Sequence, residues 1–252
     1  IMVKQKAEQI ECDDSHATAV ITSVGERFPA DLVISAIHPA STMQMVNSRL
    51  IRPAYRQRIA DIRNTTGAFT VYLKFRKDSV KYMDNNFYLY RGDSVWGCEE
   101  YDDTTWPKFL LYMHVCHEEK PVYARAGEIL TYMNMDELRQ WSNTRIGHRG
   151  QQYQAFKRQK AEAAIDALEK EMPGLRDSIE AYYTSTPLTY MDYTGIPDGA
   201  LYGMKKDVAN LGSASMTSRT RIPNLLLTGQ SITLHGMMGV VAGSLVTCSE
   251  DL

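Results

Sequence analysis

The sequence predicts an α+β fold in which elements of an α/β type at both ends of the chain bracket an antiparallel sheet with helices. The apolar runs at residues 31–37 and 222–227 are nearly continuous, as expected for strands that are covered on both faces. Residues 67–75 instead alternate between apolar and polar side chains, which is typical of a half-exposed antiparallel strand. Residues 152–172 then repeat with a period of about 3.6, which predicts an amphipathic helix.

The N-terminal part predicts a strand meander followed by short helices. Turn-forming segments separate apolar runs at residues 7–10, 19–24 and 30–37. Residues 38–41 then combine a strand stop with a helix N-cap, so a helix is expected at 42–46. Pro53 suits the first turn of a second helix, which we expect to run to Ile62.

Residues 65–135 predict a sheet with one apolar face and one face rich in tyrosine. Alternating runs recur at residues 67–75, 86–90, 109–116 and 128–133. The tyrosines assigned to the second face are Tyr72, Tyr88, Tyr90, Tyr112 and Tyr132. Such rings combine apolar area with a polar tip, so this face could bound a pocket for a flat or elongated apolar substrate. The alternative, that tyrosine is simply favoured in strands, stays open.

The second half of the chain predicts helices and then a long loop. Pro173 and Gly174 end the amphipathic helix, and a second helical piece is expected at residues 175–182. The polar, proline-marked residues 184–190 predict a loop or an extended connection. After Gly203 the chain has a loop-like composition as far as Arg221.

These elements suggest a simple domain organisation. Residues 1–37 and 216–252 would complete one domain, and residues 38–215 would form a second domain inserted between them. The second domain contains the alternating strands, so we assign to it the role of binding a substrate.

Composition and charge restrict the partners. Lys and Arg number 28 against 30 Asp and Glu, so the chain lacks the basic surplus of a nucleic-acid-binding protein. The cysteines show no C-x-x-C spacing, which favours a reduced compartment. No apolar run approaches the roughly 18 residues that span a bilayer. We expect a cytoplasmic protein without a nucleic-acid partner; contact with the membrane periphery stays open, and the oligomeric state is not predicted.

Several catalytic motifs are missing from the sequence. It contains no G-x-S-x-G, no phosphate-binding G-x-x-x-x-G-K and no dinucleotide-binding G-x-G-x-x-G. His114, Cys116 and His117 have a spacing that invites a metal interpretation, but no second ligand pair has a metal-like spacing elsewhere. We therefore expect no metal, and no catalytic acid or base is assigned.

The segment with the most chemical promise is residues 222–245, which predict a buried strand, a turn and a helix. Gly229 and Gln230 end the strand where the backbone can approach another group closely. Gly236 and Gly239 lie where the helix begins, so unsatisfied N–H groups and the positive end of the helix dipole would face whatever lies above the strand. This arrangement suits an electron-rich cofactor edge. A tightly packed segment without a ligand is the alternative.

This segment resembles the C-terminal flavin-binding signature of the phytoene desaturase, carotenoid isomerase and retinol saturase family of FAD-dependent oxidoreductases. The resemblance rests on residues 228–230 and on 235–240, which open the helix. It is supported in chain order by residues 7–10, 30–36, 157–175, 186–190 and 202–203. The Thr228-Gly229-Gln230 variant is most similar to the retinol saturase branch.

The resemblance implies FAD as cofactor and a Rossmann-type FAD-binding domain to which residues 1–37 and 216–252 contribute. The residues that it places at the cofactor are Ala7, Ser35, Ala36, Gly229, Gln230, Gly236, Met238, Gly239 and Val240. Because the family's N-terminal dinucleotide fingerprint is missing, the chain is expected to be the C-terminal portion of a longer enzyme whose main pyrophosphate site lies elsewhere.

The resemblance also implies the reaction. We expect hydride transfer between flavin and a small apolar substrate, a carotenoid-like or retinoid-like polyene, in a desaturation, saturation or isomerisation. Two alternatives stay open: an amine-oxidase-like flavoenzyme, and a non-catalytic fragment that binds an apolar ligand.

Overall fold

The computed structural model describes residues 1–116, 119, 121–207, 209 and 216–249. Mixed sheets and helices make up these residues, so the α+β prediction is confirmed. The chain divides into two compact units. The first unit comprises Ile1–Thr65 and Gly195–Leu252, and the second comprises Thr66–Thr194.

The bounds of the elements are as follows. The strands are β1 (Ala7–Cys12), β2 (Ala17–Thr22), β3 (Arg27–Pro29), β4 (Val33–Ser35), β5 (Val46–Asn47), β6 (Gly67–Phe75), β7 (Phe87–Tyr90), β8 (Phe109–Val115), β9 (Ala126–Met133), β10 (Ile179–Ser185) and β11 (Leu225–Leu227). The α-helices are α1 (Pro39–Met45), α2 (Pro53–Ala60), α3 (Gly150–Glu171), α4 (Leu175–Ser178), α5 (Pro187–Thr194) and α6 (Gly236–Ser249), and 3₁₀ helices cover Met135–Trp141 and Pro197–Gly199.

The first unit contains a sheet in the order β3-β2-β1-β5 and a parallel pair formed by β4 and β11. In the sheet, β1 pairs antiparallel with β2 and parallel with β5. All three residues of β11 are buried, as expected for a parallel strand covered on both faces. Its Leu225 packs in one apolar core with Ile10, Met43 and Ile59.

The second unit contains an antiparallel sheet in the order β10-β6-β9-β8-β7. Strand β6 covers the predicted residues 67–75, and its apolar face contributes Phe69, Val71 and Leu73 to the core. The apolar stripe of α3 packs into the same core. Gly127 on β9 makes room there, because a β-carbon would lie 2.9 Å from the Phe75 ring. Strand β6 and helix α3, which the sequence predicted separately, therefore pack in the same core.

Two predictions for residues 175–190 are wrong. The expected helix at 175–182 ends at Ser178, and β10 begins at Ile179. Strand β10 pairs antiparallel with β6 from Ile179 to Ser185. The loop or extended connection expected at 184–190 is extended only to Ser185, at the end of β10, and is helical from Pro187 in α5. Pairing with the free edge of β6 satisfies the backbone of residues 179–185, and this long-range partner overrides their weak local helix pattern.

The compact units differ from the predicted domains. The sequence placed boundaries at 37/38 and 215/216, whereas the compact units change at 65/66 and 194/195. Residues 38–65 stay with the first unit because Ile51 and Ile59 pack in its core, and Met204 does the same for the segment after residue 194. Within the predicted loop at 204–221, residues 208 and 210–215 lie outside the described residues. The FAD-binding and substrate-binding roles of the domains stay predictions.

In the part of the chain that the structure describes, no helix has both the length and the apolar character needed to cross a bilayer.

Candidate functional site

The parallel pair of β4 and β11 brings two predicted cofactor segments together. Val33 is in register with Leu225 and Ser35 with Leu227. The Thr228 N–H then donates to the Ser35 carbonyl at 2.9 Å. Gly229 follows with φ +96°, and a β-carbon there would lie 3.3 Å from the Ala36 carbonyl oxygen. Ser35, Ala36 and Gly229 therefore form one close backbone junction, which needs the left-handed freedom of glycine.

The start of α6 is closed on one side and open on the other. A β-carbon on Gly239 would lie 2.6 Å from the backbone of Leu234, so the helix entry packs directly on the preceding turn. At Gly236, where φ is +77°, no atom lies within 4 Å of the position of a β-carbon. Met237 and Met238 are 89% and 81% exposed. The first-turn N–H groups and the positive end of the helix dipole are thus accessible.

The turn between β11 and α6 is held by residues 201–206, none of which the sequence reasoning assigned to the cofactor site. The Lys206 ammonium donates to the carbonyl oxygens of Gln230 and Ser231 at 3.1 and 3.2 Å. The Gln230 amide is 3.5 Å from the Leu201 carbonyl oxygen, and the Tyr202 and His235 rings lie 4.5 Å apart. Burial lowers the pKa of Lys206. Tyr202 and Gly203 were the only sequence signal for this segment.

One buried polar atom at the turn is unsatisfied. The Thr228 hydroxyl is buried, and no hydrogen-bond partner for it is found among the described residues. A buried hydroxyl without a partner costs about 1–3 kcal/mol, which a bound polar ligand can recover. This hydroxyl, the accessible N-terminus of α6 and the positive charge of Lys206 are chemically suited to an anionic, hydrogen-bonding group such as FAD.

The side chain of Ser35 is hydrogen-bonded within the first unit. Its hydroxyl lies 2.7 Å from that of Thr42 on α1, whose N-cap is His38. His38 is buried, and it is linked to Asn64 at 2.8 Å. Burial lowers the pKa of His38. The Ser35 hydroxyl is therefore already engaged within the first unit, and its role at the cofactor stays a prediction.

The remaining predicted cofactor residues lie in two places. Ala7 begins β1, which belongs to a different sheet from the β4 and β11 pair. Met238 and Val240 lie in the first turns of α6, and the Val240 side chain is half-buried. The roles of all three at the cofactor stay predictions.

The second unit contains the predicted tyrosine face, with one correction. Tyr72, Tyr88, Tyr90 and Tyr132 occupy the face of the sheet opposite the α3 core. Tyr112 does not, because it is in phase with Leu110 on β8 and is fully buried in that core. Its hydroxyl is bonded to His114 at 2.7 Å. We call the face with the other four tyrosines the open face.

One end of the open face is aromatic and aliphatic. The Phe109 ring lies 5.0 Å from the Tyr132 ring, 5.2 Å from Tyr90 and 6.4 Å from Tyr88. Leu111 is opposite both Tyr88 and Leu130 in the strand register. This aromatic end is a suitable surface for an elongated apolar molecule.

The other end of the open face is polar, and the sequence reasoning missed its residues. Glu128 on β9 is directly opposite Tyr72 on β6. The Tyr72 hydroxyl is 3.2 Å from that of Ser185, and the Tyr190 hydroxyl is 3.2 Å from that of Thr70. Burial raises the pKa of Glu128 and of Tyr190. The available signal was a glutamate in a strand of otherwise apolar and aromatic residues.

The metal interpretation of residues 114–117 finds no support in the described part. His114 accepts a hydrogen bond from the Met83 N–H at 2.9 Å and has Tyr112 on its other ring nitrogen. Burial lowers the pKa of His114. His117 lies outside the described residues. Among the residues that are described, no group of three or more His, Cys, Asp or Glu side chains could hold a metal ion.

Comparison with known proteins gives named relatives. No family model matches the chain. It is 28% identical over 223 residues to the all-trans-retinol 13,14-reductases of Macaca fascicularis and of Homo sapiens, which covers 82% of the chain and 36% of each relative. The corresponding reductase of Rattus norvegicus is 29% identical over 199 residues, covering 71% of the chain and 32% of the relative.

Solved structures show the same fold at low sequence identity. An oxidoreductase from Methanosarcina mazei matches with a TM-score of 0.57 at 12% identity, over 97% of this chain and 49% of that one. A putrescine oxidase redesigned in cofactor binding, the A394C-A396T-Q431G variant, matches with a TM-score of 0.57 at 13% identity, over 98% and 47%.

The resemblance to the retinol saturase family is therefore confirmed, because the named relatives are retinol reductases. The chain spans 36% of the length of the first of these relatives. The two solved structures support the fold alone.

Proposed function

We propose that this chain forms part of an FAD-dependent oxidoreductase that reduces a conjugated, apolar polyene of the retinoid or carotenoid class. The observation that carries the proposal is the junction of Ser35, Ala36 and Gly229 followed by the accessible start of α6. The similarity to all-trans-retinol 13,14-reductases supports the choice of substrate class.

In this proposal, the first unit holds one edge of the cofactor. When bound, FAD would supply the hydride chemistry of the reaction. The first-turn N–H groups of α6, from Gly236 to Val240, would stabilise negative charge on a ring edge above them. The Thr228 hydroxyl and the Gln230 amide can hydrogen-bond a polar ligand, and Lys206 adds a positive charge at the same turn.

The second unit would hold the substrate. Its open face offers aromatic rings at 5–6 Å from one another, including Tyr90, Phe109 and Tyr132. Such rings cover an apolar chain and keep water from it without needing a charged group. No residue is assigned as the acid or base of the reaction.

We also propose that the remaining cofactor-binding residues belong to a longer enzyme. The 252 residues contain no G-x-G-x-x-G fingerprint for the pyrophosphate. Together with the 36% share of the relatives' length, this motivates a comparison of the chain with a gene product that includes the sequence upstream of Ile1.

The test is flavin binding followed by turnover. We expect the longer product to purify yellow or to become yellow with added FAD, and its reduced flavin to be reoxidised by all-trans-retinol under anaerobic conditions. A longer product that stays colourless with excess FAD would contradict the flavoenzyme proposal. A flavin that is reduced by putrescine, and whose reduced form is not reoxidised by all-trans-retinol, would instead establish the amine-oxidase-like alternative.

A further inference from the structure

We propose that Glu128, Tyr72 and Tyr190 bind the terminal hydroxyl group of the substrate, so that the substrate is an elongated apolar alcohol lying along the open face. This inference rests on the proposed function and deepens it, since it assigns a head-group site within the substrate surface. Thr70 and Ser185 act as positioning residues, because each hydroxyl pairs with one of the two phenols.

The strand register sets up a gradient from apolar to polar across the open face. One cross-strand row contains Tyr88, Leu111, Leu130, Thr70 and Ser185, in the order β7-β8-β9-β6-β10. The next row contains Met113, Glu128, Tyr72 and Tyr183. Neighbouring strands are about 4.8 Å apart, so the four steps of the first row span roughly 19 Å. A molecule bound across the strands would have its hydrocarbon part at the aromatic end and its tip at the polar end.

The polar end is prepared to receive a further hydrogen-bonding group. Thr70 is fully buried and Ser185 is 5% exposed, whereas Tyr72 is 41% exposed. The buried hydroxyls thus fix the orientation of Tyr72, which stays accessible, and of Tyr190, which is half-buried. Among the described residues, no hydrogen bond or ion pair to the half-buried Glu128 carboxyl is found. Burial raises the pKa of Tyr190, and the Glu128 carboxyl raises it further, so the two groups interact electrostatically.

The groups around Glu128 suit an alcohol hydroxyl. Burial raises the pKa of Glu128, as expected for a carboxyl group that is partly removed from water. A carboxyl group and two phenols can both donate to and accept from one alcohol hydroxyl. The nearest lysine along the sheet, Lys74, is paired with Glu180 at 2.6 Å and does not compensate Glu128.

Fluorescence titration of the full chain with three matched probes tests the inference: all-trans-retinol, all-trans-retinyl acetate, which has no hydroxyl, and all-trans-retinylamine, which has an ammonium group. We expect all-trans-retinol to bind most tightly. Glu128→Leu should weaken its binding about tenfold, the loss of one good hydrogen bond, and should leave the acetate unchanged. Tyr72→Phe, which keeps the ring, should weaken all-trans-retinol alone by about threefold to tenfold. Glu180→Leu is the matched control, since it removes an exposed carboxylate from the same sheet.

The outcomes separate this inference from the proposed function. Equal binding of all-trans-retinol by the wild type and both variants overturns the inference, even if flavin turnover is found. Tightest binding of retinylamine, or no binding of any probe, overturns it as well. Loss of all-trans-retinol binding in Glu128→Leu together with a colourless longer product would support the head-group site while the flavoenzyme proposal fails.

Discussion

A β-carbon on Gly203 would collide with the Ser231 hydroxyl, so the segment around Gly203 packs directly on the turn that follows β11. Gly203 also has φ +73°, and its carbonyl accepts hydrogen bonds from the N–H and hydroxyl of Thr65 at 2.9 and 3.0 Å. This contact holds the turn with Gly229 and Gln230 from the side, where the Lys206 ammonium also binds it. The glycine therefore has a positional role next to the candidate cofactor site.

The first prediction concerns this contact. Gly203→Ala should destabilise the protein by about 1–3 kcal/mol, because it adds an overpacked atom at a left-handed position. Gly195→Ala is the matched control: Gly195 has φ +67° but no atom within 4 Å of a β-carbon, so it reports the backbone cost alone. Chemical denaturation measures both. If Gly203→Ala is no worse than Gly195→Ala, or if adding Ser231→Gly recovers no stability, the contact is not important.

The second prediction concerns the entry of α6. Gly239→Val should abolish FAD binding by the longer product, because a side chain there would displace the Leu234 backbone and with it the first-turn N–H groups. Ala242→Val introduces the same side chain at an exposed position of the same helix and should retain flavin. Flavin stoichiometry is the measurement, and hydrogen exchange at Gly67–Phe75 should show that β6 is still folded. Wild-type flavin content in Gly239→Val would remove α6 from the proposed site.

A strand could be predicted from the sequence when its own residue pattern identifies it, and was missed when only pairing with a distant strand does. Strand β6 was predicted with its observed bounds, because its alternation reports burial on one face directly. Strand β10 was missed since residues 179–182 follow a helical turn and include Ile179 and Tyr182, which also fit a helix. What makes them a strand is the edge of β6, which is more than a hundred residues away in sequence.

The open face shows a similar limit. Tyr112 was assigned to it by residue type, but its phase with Leu110 places it on the core side. Glu128 was passed over because a single carboxyl in a strand has no motif. Its meaning comes from its position opposite Tyr72 and near Tyr190, and Tyr190 lies on α5, in a segment predicted to be a loop.

The third prediction uses the misassigned tyrosine. Tyr112→Phe should lower the free energy of unfolding by about 1–3 kcal/mol, because it leaves a ring nitrogen of the half-buried His114 without its 2.7 Å partner. Tyr88→Phe is the control, as Tyr88 is 53% exposed and no hydrogen bond to its hydroxyl is found in the described part of the chain. It should change stability by about 0.5 kcal/mol or less. Urea denaturation of both variants decides, and equal effects would contradict the assigned role of the Tyr112 hydroxyl.

The last prediction is the pH dependence that Glu128 gives to stability. Burial raises its pKa in the folded protein above the value of about 4.3 expected in the unfolded chain, so the folded state binds the proton more tightly. Its contribution to stability is therefore full below about pH 4.3 and is lost as the pH rises through the folded-state pKa. Glu128→Gln removes this titration.

The stability of Glu128→Gln relative to the wild type should thus rise across that window and level off above it. Denaturation midpoints measured from about pH 4 to 8 test this, with Glu180→Gln as a control for the loss of one carboxylate on the same sheet. A difference that is flat with pH, or that falls as the pH rises, would show that Glu128 is not held in a desolvated site. The inference that the Glu128 carboxyl at the polar end of the open face is partly removed from water would then fail.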